Sequence, residues 1–104
     1  MLFGDCPIKF IKGESYPYAI VFDDIDEIIE SVFIVSKKIG FDKKLVQDSK
    51  IPGRWFYTFS PEETANFNAN RGTYTLIVNC KGEELKTQKL TNQKVDVIED
   101  ENSN

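Results

Sequence analysis

The chain has 104 residues, enough for one domain and hardly enough for two. An apolar fraction of 40% with 12% aromatics argues against disorder. A formal charge of −4 gives no footing for a nucleic-acid backbone, and the absence of histidine excludes a Ser-His or Cys-His nucleophile and the usual zinc sets.

The two cysteines, Cys6 and Cys80, are far apart and belong to no Cys-x-x-Cys pair, so two reduced thiols are expected. No stretch approaches the roughly 20 apolar residues of a membrane span. "MLFGDCPIKF" has no basic flank or long apolar run and does not read as a signal peptide.

In chain order, "PIKFIKGESYPYAIVFDD" gives two apolar runs separated by "KGES". The second, Tyr16 to Phe22, is aromatic and β-branched, with Pro17 near its start where a missing N–H is tolerated. Asp23 to Glu27 reads as a loop, because aspartates favour turns. "IIESVFIVSKK" follows as a strand with Ile29, Ser31, Phe33 and Val35 on one face. Its β-branched content sets strand above a helical alternative.

A short strand is expected around Lys44 to Gln47, then a turn at "SKIPG". "RWFYTFS" is bulky on both faces, with Trp55, Tyr57 and Phe59 on one side and Phe56 and Thr58 on the other. "SPEETANF" carries a capping box, Ser60 with Glu63, and Pro61 at the first helical position; it predicts about two helical turns. Gly72 is expected to supply a positive φ at its exit. "TYTLIVNC-KG-EELKTQKL" reads as a hairpin turning at Lys81-Gly82, with Tyr74, Leu76, Val78 and Cys80 opposite Thr73, Thr75, Ile77 and Asn79. "QKVDVIED" is a last short strand and "ENSN" a polar tail.

About seven short strands predict an all-β, two-layer antiparallel sandwich, Ig-like or jelly-roll-like, over residues 1–100 with a tail at 101–104. The helical turn is then the crossover between sheets, with Ala65 and Phe67 plugging the core.

No motif marks catalysis. The carboxylates of "DDIDE" and "PEE" are local clusters rather than a cleft, and "DDIDE" lacks the glycine of a calcium loop. "GRWFYTF" near Lys37, Lys38, Lys43 and Lys44 offers aromatics and basic groups, but burial of Trp55 and Phe59 is the simpler reading. What remains is a β domain whose edges and aromatic surface suit binding.

Lys12, Gly13, Glu14 and Ser15, then Ser60, Glu62, Glu63 and Thr64, then Gly72, Thr73 and Tyr74 are the residues through which the chain resembles the amino-terminal domain of tailed-phage upper baseplate proteins and related prophage proteins. The likeness runs from about Ile8 to Asp100. It implies a non-enzymatic β-sandwich virion module without cofactor, docked to other phage or prophage proteins and often forming a homo-oligomer, with the virion or the bacterial host cytoplasm as the expected location. Neither membrane nor nucleic acid is an expected partner. The coiled coil and receptor-binding parts of that family do not follow the domain here.

Two other readings come from different classes: a small acidic inhibitor of a host defence protein that imitates nucleic acid, and a carbohydrate-binding sandwich using Trp55 or Tyr57. The expected contact surface is the strand Arg54 to Phe59 with the hairpin Tyr74 to Leu85; its expected contact residues are Arg54, Trp55, Tyr57, Phe59 and Tyr74, together with the acidic group Asp23, Asp24, Asp26 and Glu27.

Overall fold

The computed structural model describes residues 7–22, 28–81 and 85–99. In chain order the elements are β1 Ile8–Ile11, β2 Tyr16–Val21, β3 Ile28–Ser36, β4 Phe41–Lys44, β5 Val46–Gln47, β6 Arg54–Phe59, α1 Pro61–Ala65, β7 Arg71–Lys81 and β8 Leu85–Ile98. They make a five-stranded sheet, β1-β8-β7-β3-β4, and a three-stranded sheet, β2-β6-β5. One layer thus holds β2, β5 and β6, and the other holds β3, β7 and β8 with β4 beside β3. That is the B, D, E against C, F, G, C′ partition of an immunoglobulin-type sandwich.

Among the described residues one strand pair is parallel, β1 with β8. A parallel pair needs a long connection, and here most of the domain lies between the two strands. The expected strand at Lys44 to Gln47 is divided at Leu45, where the chain passes from the five-stranded to the three-stranded sheet. Leu45 is buried and its N–H donates to the Val32 carbonyl. The segment from Leu85 onward is one strand rather than two, because Asn92 at φ 57 and a register shift beside Thr75 absorb the irregularity.

Alternation places Tyr74, Leu76, Val78 and Cys80 in the core, with Thr75, Ile77 and Asn79 facing out. On β3 the period slips between Ile29 and Ser31. Ile29 therefore packs on the core, while Ser31, Phe33 and Val35 keep the outer side. The interior is aromatic: Phe10 meets Tyr16, Phe41, Phe59 and Phe67 at centroid distances between 4.8 and 5.9 Å, all edge-on. Such pairs add about 1 kcal/mol each beyond area burial.

The capping box forms as expected, and α1 joins β6 of one sheet to β7 of the other. It is a five-residue helix, shorter than the predicted two turns. Thr64 and Phe67 are its buried anchors, whereas Ala65 faces solvent. Gly72 does not have positive φ; a Cβ there would come within 3.3 Å of the Ile39 side chain, so close packing is what that position requires. Gly53 does have it, at +78°, and a Cβ would meet the Phe22 carbonyl oxygen at 2.6 Å. The loop at Asp23–Glu27, Cys6, the Gly82 turn position and the tail from Asp100 lie outside the described residues.

Candidate docking surface

β6 is the middle strand of the three-stranded sheet, so its alternation decides what both faces of that sheet carry. Trp55 and Phe59 are buried, at 4% and 0% exposure, and Tyr57 packs beside them against the core. The opposite face carries Arg54, Phe56 and Thr58. Strand register then sets a row across the sheet: Phe56 stands opposite Ala19 of β2 and Val46 of β5, and Arg54 stands opposite Val21. Val21 and Val46 are 48% and 54% exposed. Ile51, at 49%, lies in the turn that leads into β6.

An apolar row of this kind, continuous across three strands, differs from singly scattered apolar residues. Its charge is neutralised locally. The Arg54 guanidinium lies 5.1 Å from the Phe56 ring centroid and donates to Asp48 Oδ2 at 2.6 Å. Asp48 Oδ1 accepts the N–H groups of Lys50 at 2.7 Å and Ile51 at 3.2 Å. The Lys50 N–H first, and then Arg54, hold the Asp48 carboxyl below its ordinary range. The Asp48 turn thereby holds the guanidinium over the phenyl ring.

A second cluster joins β4, β6 and α1. The Glu63 carboxylate accepts from Lys43 Nζ at 2.7 Å, from the Tyr57 hydroxyl at 2.8 Å and from the Ser60 N–H at 2.9 Å. Burial pushes Glu63 upward, but Lys43, the Ser60 N–H and Tyr57 together outweigh it and hold the group at about 2. The hydrogen bond to Glu63 raises Lys43; burial and then Glu63 raise Tyr57. A recess of about 320 Å³ lies beside this cluster. Its carboxylate is fully committed to three donors and stays charged through the neutral range, so it supports the fold and has no proton to offer a substrate.

Of the expected contact residues, the structure leaves Arg54 on the outer face and Tyr57 half-buried. Trp55, Phe59 and Tyr74 point between the sheets and present no side chain to a partner, because the bulkiest residues fill the core. A sugar therefore has no stacking platform at Trp55. Tyr74 and Arg54 also belong to different sheets, so they do not form one patch. Asp23, Asp24, Asp26 and Glu27 lie outside the described residues. Ala19, Val21 and Val46 of the row lie outside the expected contact surface, and Phe56 lies within its expected strand. The available signal was Phe56 itself, an aromatic on the face of β6 opposite Trp55 and Phe59.

Among the described residues no group of three or more acidic or cysteine side chains is placed to hold a metal ion, and no helix is long and apolar enough to cross a membrane.

No family model matches the chain. No curated protein matches it in sequence. Among solved structures, it is similar to the extracellular domain of the voltage-gated sodium channel beta4 subunit, at 12% identity and a TM-score of 0.45 over 96% of each chain. That protein is described as forming parallel homodimers that explain its role in cell-cell adhesion. At this distance the similarity says nothing of what the present chain binds.

Proposed function

We propose that this chain is a non-enzymatic binding module that docks on another protein through the outer face of its three-stranded sheet. The observation that carries the reading is the Ala19–Phe56–Val46 row, flanked by Val21 and by Arg54. Aromatic and Arg side chains are the types that dominate binding energy at protein interfaces. Both neighbours of β6 in that sheet are its edge strands, so the partner can approach the face and an edge together. The proposed setting is a tailed-phage or prophage virion, with the partner another virion protein; what supports it is the resemblance carried by Lys12–Ser15, Ser60–Thr64 and Gly72–Tyr74.

The test is site-directed photo-cross-linking in cells producing the assembly. A cross-linker at Thr58, exposed on this face, is expected to capture another virion polypeptide. A cross-linker at Glu14, exposed in the turn between β1 and β2, serves as the control. Equal capture at both positions, or none at Thr58, contradicts the reading.

A further inference from the structure

An open sheet edge exposes backbone donors and acceptors that another chain can pair with, and folded proteins blunt such edges with charge, proline or short length. The two sheets have four edge strands: β1 and β4 in one, β2 and β5 in the other. β1 carries Lys9, and β4 carries Asp42, Lys43 and Lys44. β5 is two residues long. β2, "YPYAIV", has six residues and no charge, and its one blunting residue, Pro17, sits at the second position.

Which of its backbone groups face outward follows from one hydrogen bond. The Phe22 N–H donates to the Gly53 carbonyl at 2.9 Å, on the β6 side. Phe22 and Gly53 follow directly on the Val21–Arg54 pair of the register. Antiparallel pairs alternate between bonded and unbonded. Tyr16, Tyr18 and Ile20 therefore turn their backbone groups to β6, and Pro17, Ala19 and Val21 turn theirs away. Pro17 falls where a missing N–H is tolerated. The outward set is the N–H groups of Ala19 and Val21 and the carbonyls of Pro17, Ala19 and Val21. Among the described residues no strand pairs with that side of β2, and no turn or loop hydrogen bond uses these groups. The side chains of the same three residues are exposed on the outer face, where Ala19 continues the row of Phe56 and Val46.

We infer that β2 takes an extended strand of the docked partner as a fourth strand of this sheet. The inference rests on the docking proposed above and names its mode: main-chain pairing at β2, with apolar side chains of the added strand packed beside Pro17, Ala19 and Val21. A second copy of β2 fits less well. Self-pairing along the whole strand centres on Ala19 and sets each Val21 opposite Pro17 of the other copy, which leaves two Val21 carbonyls without donors. A strand with no proline at that position supplies them.

The experiment has two readouts. In the isolated chain, amide hydrogen exchange is expected to be fast at Ala19 and Val21 and slow at Tyr18 and Ile20. Protection of Ala19 and Val21 in the monomer shows the edge already covered by its own chain and overturns the inference. The second readout is cross-linking from Thr58, which stands opposite Pro17 on β6, in cells producing the assembly. Ala19→Pro removes one outward N–H and leaves the β2–β6 bonds in place; circular dichroism checks its fold, and the exchange readout stands whether or not it folds. Capture from Thr58 is expected to fall about tenfold, the equivalent of one lost hydrogen bond. Ala19→Thr, which keeps the N–H, is expected to retain capture. Equal capture by Ala19→Pro and wild type overturns the inference and leaves the docking face standing. No capture from Thr58 in the wild type overturns both. A dimer of the isolated chain that Ala19→Pro dissolves assigns the edge to a second copy and overturns the partner strand.

Discussion

The Thr64 hydroxyl is bonded to both sides of the Gly13–Glu14 peptide: it accepts the Gly13 N–H at 3.0 Å and donates to the Glu14 carbonyl at 2.9 Å. Thr64 is fully buried and Gly13 stands at φ +84° in the turn between β1 and β2. The two short motifs, "KGES" and "SPEET", thus meet as one lock that seats the crossover helix on the first turn. Their role in the structure is to hold the fold. Thr64→Val keeps the shape and removes the hydroxyl, leaving a backbone donor and acceptor without this partner. Stability is expected to fall by about 2 kcal/mol. Urea unfolding checks this, and Thr64→Ser is expected to recover most of the loss.

The Glu63 cluster gives the chain an acid-sensitive term. Its folded value of about 2 lies below the ordinary 4.5. Stability from this group is therefore fully present above about pH 5 and is lost as pH falls toward 2. With solvent screening the size is on the order of 2 kcal/mol. In urea titrations between those limits, Glu63→Gln is expected to be the weaker protein near neutrality, and the gap to wild type is expected to close at low pH. A constant gap contradicts the assignment.

Gly13 and Gly53 separate backbone strain from steric contact. Both have positive φ, but a Cβ at Gly13 meets nothing within 4 Å, whereas one at Gly53 meets the Phe22 carbonyl oxygen. Gly13→Ala is expected to cost about 1 kcal/mol from the left-handed conformation. Gly53→Ala is expected to cost at least twice as much, because the backbone pairing of Phe22 with Gly53 must also shift. Thermal or urea unfolding of the pair reads the difference directly.

Trp55 is the protein's single tryptophan and lies in the core at 4% exposure. Its emission is expected to be blue-shifted and resistant to iodide, with both properties lost on unfolding. Ready quenching in the native state would place Trp55 on the surface and undo the facing assigned to β6.

Much of the architecture can be read from residue patterns. The alternation in Tyr74 to Cys80 sets one wall of the core, and Ser60 with Glu63 marks the helix start within a residue. The rest depends on pairing that no local pattern carries. The parallel pairing of Ile8–Ile11 with Val95–Ile98 joins the two ends of the domain. The slip after Ile29 and the positive φ of Asn92 change the period inside otherwise regular strands. The part of the candidate row on β2 and β5 was missed for a related reason. Alternation divides "RWFYTF" into two faces, but both are bulky, and only the register with Ala19 and Val46 shows that Phe56 belongs to a continuous outer row.

The most direct test of that row compares stability with binding in one variant. Val21→Lys/Val46→Lys changes two exposed positions of the strip and leaves the aromatics in place. The expected result is loss of co-purification with virion proteins while the urea midpoint moves little, about 0.5 kcal/mol per exposed site. Binding retained by this variant would contradict the assignment of the three-stranded face as the docking surface.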